Sequence, residues 1–208
     1  MKQLFIQDLQ SGDILLRVLD VKKERFLVKI VQFFQKITGH YNYLITHASM
    51  VSDIPYLIES DLPGLVKHSL LESEGLQYGN IVYRSTNQEL ARGAAAAAQL
   101  LYDIHMQKRT IGYNYLGSAL SLFWLGRKPR SIEDMDVRLS KMLTGSKQKM
   151  ICSQIIVYAY QWAGEQMRIP TLHIFRKRDS GVSPAALATM LQNNPWFNEV
   201  GYMIRNER

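Results

Sequence analysis

Lys149-Met150-Ile151-Cys152-Ser153-Gln154-Ile155-Ile156-Val157-Tyr158-Ala159-Tyr160 is the stretch whose reading decides the fold. It carries the single cysteine of a 208-residue chain, where a polar, basic segment gives way to an apolar run. Ile155, Ile156, Ala159 and Trp162 recur at helical spacing, which places Cys152 at or just before the first turn of a core helix. The free N–H groups and the positive dipole end at that position stabilise a thiolate, the form that attacks carbonyl carbon. A lone cysteine is also commonly an inert buried residue. A suitably placed histidine decides between the two readings.

Composition sets the frame. The length supports one well-buried core, and the 47% hydrophobic content argues against disorder. One cysteine forms no internal disulfide, so the fold needs no oxidising compartment. Met1 to Asp8 lacks the long apolar core of a signal peptide, and no run approaches the ~18 apolar residues that span a bilayer. A cytoplasmic protein is expected, with signal-less export left open. The net charge of +7 suits an anionic surface, though it also fits an ordinary solvated basic face. The chain shows no zinc-ligand cluster, Gly-rich phosphate loop or RNA-binding aromatic signature. No metal, cofactor or nucleic acid is therefore expected.

Upstream, Gln10-Ser11-Gly12-Asp13 reads as a turn into a short strand, Ile14-Leu15-Leu16-Arg17-Val18. Val21 to Thr38 has the spacing of a basic amphipathic helix, which fits either an anionic membrane surface or, more commonly, packing on the core. Strands are expected at Tyr43 to Val51, Pro55 to Ser60, Leu65 to Leu70 and Asn80 to Arg84, joined by short turns as an antiparallel meander. Asn87 to Met106, with its alanine run, predicts a helix. Gly112 to Tyr115 reads as a turn before the apolar segment Leu116 to Leu125. Arg127 through Lys149 reads as a polar, basic, mobile loop. Ser183-Pro184 is a helix start, an N-cap followed by proline at the first position. Trp196 to Ile204 is expected to close the sheet. With no linker or internal repeat, residues 1–208 form one α+β domain: an antiparallel sheet packed on helices.

Cys152 needs a base. His40, His105 and His173 read as surface residues, whereas His47 and His68 fall within strands. His47 lies among small and apolar residues, where a polar ring requires a partner. Glu59 follows twelve residues later on the next strand, and a hairpin of that length can bring the two together on one face. An exposed strand carboxylate at Glu59 is the other reading of the same spacing.

Leu9-Gln10-Ser11-Gly12-Asp13-Ile14-Leu15, Thr46-His47-Ala48-Ser49-Met50-Val51, Leu57-Ile58-Glu59-Ser60 and the cysteine stretch resemble, in that order, the circularly permuted NlpC/P60 papain-like superfamily. Its YaeF/YiiX-like branch is the nearer likeness, and the lecithin:retinol acyltransferase-like enzymes are a more distant one. Ser183 to Ala188 also resembles the segment after the cysteine helix in the YiiX-like group. Tyr113-Asn114 only approximates the family's turn, and the basic stretch before Lys149 has no counterpart.

The resemblance implies Cys152 as nucleophile, His47 as general base and acid, and Glu59 as orienting group, with His68 the alternative third residue. It implies a cysteine hydrolase or acyltransferase acting on an amide, ester or thioester through a thioacyl-enzyme. The substrate would be a small-molecule, lipid or peptide acyl compound. The alternative is a non-catalytic binding or effector module on the same fold.

Overall fold

In a computed structural model, residues 2–18, 44–61, 64–71, 79–113, 132–176 and 182–203 are described. The helix expected at Val21 to Thr38, the segment Leu116 to Leu125, and His40 lie outside those residues.

Alternating apolar side chains build the sheet. In β1 (Ile14–Val18), Ile14 and Leu16 point into the cluster under the helices, while Leu15 points the other way. That second side is covered by Leu4 and Leu9 of the N-terminal segment, together with Val51, Leu57, Val82 and Met203. β1 pairs antiparallel with β2 (Ile45–Asp53), which pairs with β3 (Tyr56–Asp61), which pairs with β4 (Gly64–Ser69). The expected meander therefore holds from β2 to β4. β5 (Asn80–Ser85) departs from it, crossing back to pair with the free edge of β1. The final strand, β8 (Phe197–Met203), adds to β5 and ends the sheet on that side, where Tyr202 is bridged to the N-terminal segment at Gln3.

Asn87 caps α1 (Gln88–Lys108) by accepting from the Glu89 and Leu90 amides. The alanine run buries Ala94, Ala97 and Ala98, which lets a second helix approach closely. His105, expected on the surface, is buried near the end of α1. Its Nδ1 accepts the Ile111 amide at 3.2 Å, so the ring joins the helix to the next strand.

Two sequence expectations are corrected in the region that follows. Gly112 belongs to a short strand, β6 (Ile111–Tyr113), instead of a turn; it pairs with Gly64 of β4. The supposed loop before Lys149 contains α2 (Ile132–Leu143) and β7 (Gln148–Met150). Its charged residues hid an apolar stripe: Met135, Leu139 and Met142 stand at i, i+4 and i+7 and pack on the core. β7 runs parallel to β6, and the described strands form one eight-stranded sheet, β7-β6-β4-β3-β2-β1-β5-β8.

The cysteine helix, α3 (Cys152–Gln166), is buried on nearly every side and packs against α1 and β2. Gly93 of α1 faces Ala163 of α3 so closely that an added Cβ would stand 3.1 Å from the alanine methyl. Two shorter helices follow, α4 (Thr171–Ile174) and α5 (Pro184–Gln192). Ser183 caps α5 with its hydroxyl on the Ala186 amide and proline at the first position, as the sequence predicts. Among the described residues, no helix is long and apolar enough to cross a membrane.

Candidate functional site

Position of the cysteine comes from the junction of β7 and α3. Ser60 of β3 donates its hydroxyl to the Met150 carbonyl at 3.0 Å, which fixes the end of β7 beside the middle of the sheet. Ile151, with extended backbone, is the N-cap, and Gln154 reaches back to accept the Ile151 amide at 3.1 Å. Cys152 is thus the first helical residue, and its amide has no acceptor within the helix. Further along, the Ser153 hydroxyl holds the Val182 carbonyl at 2.7 Å and the Tyr158 hydroxyl holds the Met135 carbonyl at 3.0 Å.

Position of the His47 imidazole comes from the sheet. His47 sits opposite Arg17 in the β1–β2 ladder, where the register shifts between Arg17 and Val18. Glu59 sits opposite Val66 in the β3–β4 ladder, and His68 lies two residues beyond on β4. These elements bring the imidazole and the carboxylate together: His47 Nε2 is 2.8 Å from Glu59 Oε2. Glu59 is only 4% exposed, so the buried reading of this residue replaces the solvent-exposed one. The same imidazole lies near enough to Cys152 for the two to interact electrostatically. Nδ1 is not engaged by Glu59, and the three candidates fall in one cluster, with His47 on Glu59 and in electrostatic reach of Cys152.

Electrostatics follow from that order. Burial opposes charge on His47, but the Glu59 and Cys152 charges and the hydrogen bonds to both outweigh it, raising the imidazole pKa to about 10. Burial likewise opposes charge on Glu59. His47, Arg17 and His68 outweigh it, holding the carboxyl at about 2. Glu59 is accordingly an anion at neutral pH, and the His47 Nε2–H is the donor in their bond.

His68 does not touch His47 in the manner of a third triad member. Its Nε2 lies 3.6 Å from the other carboxylate oxygen, Glu59 Oε1, and is buried without a hydrogen bond. Arg17 was passed over in the sequence as one position in a strand, yet its Nη2 is 4.0 Å from Glu59 Oε2. The available signal was a charged residue inside the otherwise apolar run Ile14 to Val18.

The Gly12-Asp13 turn is structural. Asp13 is 1% exposed and accepts Arg84 on both oxygens, at 2.8 and 2.7 Å. Gly12 has φ +88°, and a Cβ there would collide with the Ala91 carbonyl of α1.

His173 is exposed and remote from this cluster; it lines a cavity of about 730 Å3 between α4 and α5, with Phe175, Met190 and Trp196 among the walls. Among the described residues, no group of three or more His, Cys, Asp or Glu side chains is arranged to hold a metal ion. No family model, curated protein or solved structure matches the chain.

Proposed function

We propose that the chain is a papain-like cysteine hydrolase or acyltransferase with Cys152, His47 and Glu59 as its triad. The observation that carries this reading is a His47 Nε2 2.8 Å from a buried carboxylate, on an imidazole that also interacts electrostatically with a thiol at a helix start. A buried imidazole fixed by an anion and favoured in its charged form near a helix-start thiol suits the thiolate–imidazolium pair of nucleophilic thiol catalysis.

In this mechanism the Cys152 sulfur, having given its proton to His47, adds to the carbonyl carbon of an amide, ester or thioester. The negative oxygen that forms is stabilised by the uncommitted Cys152 amide and the positive end of α3. Collapse breaks the bond to the leaving group, which takes the proton from the His47 imidazolium, and leaves a thioacyl-enzyme. Water or another nucleophile then adds with His47 as base, giving hydrolysis or acyl transfer. Order and chemistry of these residues support the permuted NlpC/P60-like arrangement suggested by the sequence. Amidase or peptidase chemistry and lipid acyl chemistry both fit the site.

Alkylation tests the reading. Iodoacetamide at neutral pH should modify Cys152 rapidly in the native protein, and His47→Ala should slow that reaction. Mass spectrometry after exposure to peptide and lipid extracts should then find an acyl group on Cys152. One observation favours a second reading: Cys152 is only 2% exposed, as expected of an inert member of a buried charge network on a binding module. In that case Cys152 is alkylated only after denaturation.

A further inference from the structure

Three basic side chains surround one buried carboxylate. Glu59 meets His47 of β2 at 2.8 Å, His68 of β4 at 3.6 Å and Arg17 of β1 at 4.0 Å; Cys152 of α3 reaches it through His47. Orienting one imidazole requires only one of these contacts, so the role of the others needs a separate explanation.

Counting charge through the proposed cycle supplies it. In the ion-pair form that attacks the carbonyl, the site would oppose two anions, the Glu59 carboxylate and the Cys152 sulfur, with two cations, His47 and Arg17. In the thioacyl-enzyme the sulfur is neutral and His47 has given its proton to the leaving group. Glu59, almost fully buried, then faces a neutral ring. An isolated carboxylate at that depth would take up a proton. The neutral carboxyl would keep that proton and donate a hydrogen bond to Nε2, which requires the ring's single hydrogen to move from Nε2 to Nδ1. That tautomer has no lone pair with which to accept a proton from water. His68 guards against this only while protonated. Arg17 is charged at every step.

Resting on the catalytic reading above, we infer that Arg17 is a positioning residue for deacylation: its permanent charge keeps Glu59 an anion in the thioacyl-enzyme, so His47 stays in the tautomer that can act as base. In that step, water oxygen bonds to the acyl carbon and its proton passes to His47 Nδ1. The carbon–sulfur bond breaks, and the sulfur leaves as a thiolate paired with the imidazolium. The acyl group departs as the carboxylic acid.

The test uses p-nitrophenyl acetate with wild type, Arg17→Met and Arg17→Lys, following acetyl-Cys152 by mass spectrometry in rapidly quenched samples across pH. Arg17→Met should acetylate at a rate within a few-fold of wild type. It should then lose the acetyl group on the order of ten- to a hundredfold more slowly, the cost of impairing general-base catalysis. The rise of that decay with pH should also move to higher pH. Arg17→Lys should restore decay to within a few-fold. If Arg17→Met does not fold, Arg17→Gln takes its place in the same comparison. Acetylation of both proteins followed by equal decay overturns this inference and leaves the catalytic reading standing. A wild type that takes up no acetyl group overturns both.

Discussion

The Tyr160 hydroxyl donates a 2.6 Å hydrogen bond to the Gly12 carbonyl, pinning the cysteine helix to the turn that opens β1. Tyr160 is held there by two rings at steep angles, with centroids 5.0 Å away for Phe197 and 6.0 Å for Phe175. Gly12 in turn donates its amide to the Val51 carbonyl of β2. The helix bearing the thiol and the strand bearing the imidazole are thereby referenced to one turn.

Tyr160→Phe keeps the ring packing and removes that hydroxyl, leaving the Gly12 carbonyl short of a donor in a buried setting. The expected loss is about 1 to 3 kcal/mol in urea unfolding. Stability equal to wild type would show that the bond is not holding the helix.

Arg84→Met leaves the Asp13 carboxylate, 1% exposed, without its cation and with the Gln10 amide, at 2.8 Å, as its remaining donor among the described residues. Breaking a buried pair from one side costs about 3 to 5 kcal/mol, although Arg84 is itself partly exposed and the effect should fall toward the lower end. The double variant Arg84→Met with Asp13→Asn should recover part of the loss, because the stranded charge is gone. Additive losses in the double variant contradict this account.

Glu59→Gln retains an oxygen for His47 but not the charge. Turnover on any accepted acyl substrate should fall by about two orders of magnitude or more, mainly in kcat, as the imidazolium loses its stabilising anion. A variant within a few-fold of wild type would remove Glu59 from the mechanism.

Stability should depend on pH on both sides of neutrality. His47 is raised from 6.5 to about 10, so its contribution is complete below 6.5 and is lost as pH climbs through about 10. Glu59 is lowered from 4.5 to about 2, so its contribution is complete above 4.5 and is lost as pH falls through about 2. His105 is lowered by burial and by Arg109, so its share is lost as pH falls from 6.5. Thermal midpoints should therefore be highest near 6.5, where the His47, Glu59 and His105 contributions meet, and decline steadily on the alkaline side. A flat profile from 6.5 to 10 in the wild type is incompatible with the His47 charge pair.

Strands β1 to β5 and the helix starts at Asn87, Cys152 and Ser183 were legible because they are local. Alternating apolar residues, a capping side chain and proline at a first helical turn act within a few residues. Segment 132–143 was misread because its charges dominate the composition, and its Met135-Leu139-Met142 stripe has meaning only against the core that receives it. His105 was misread for the same reason: burial at a helix end depends on β6, a strand of three residues. The return of β5 to β1 was equally hidden, since nothing local says which free edge a strand will join.

Sequence alone determined the chemical groups at issue, a thiol at a helix start, an imidazole and a carboxylate twelve residues apart on successive strands. Only the tertiary structure decided their order. It put His47 against Glu59 and near Cys152, set His68 against the far carboxylate oxygen, and brought Arg17 in from β1. Spacing constrains which residues can meet through a hairpin. The contacts of a buried charge are decided by every element packed around it, and those elements come from the whole length of the chain.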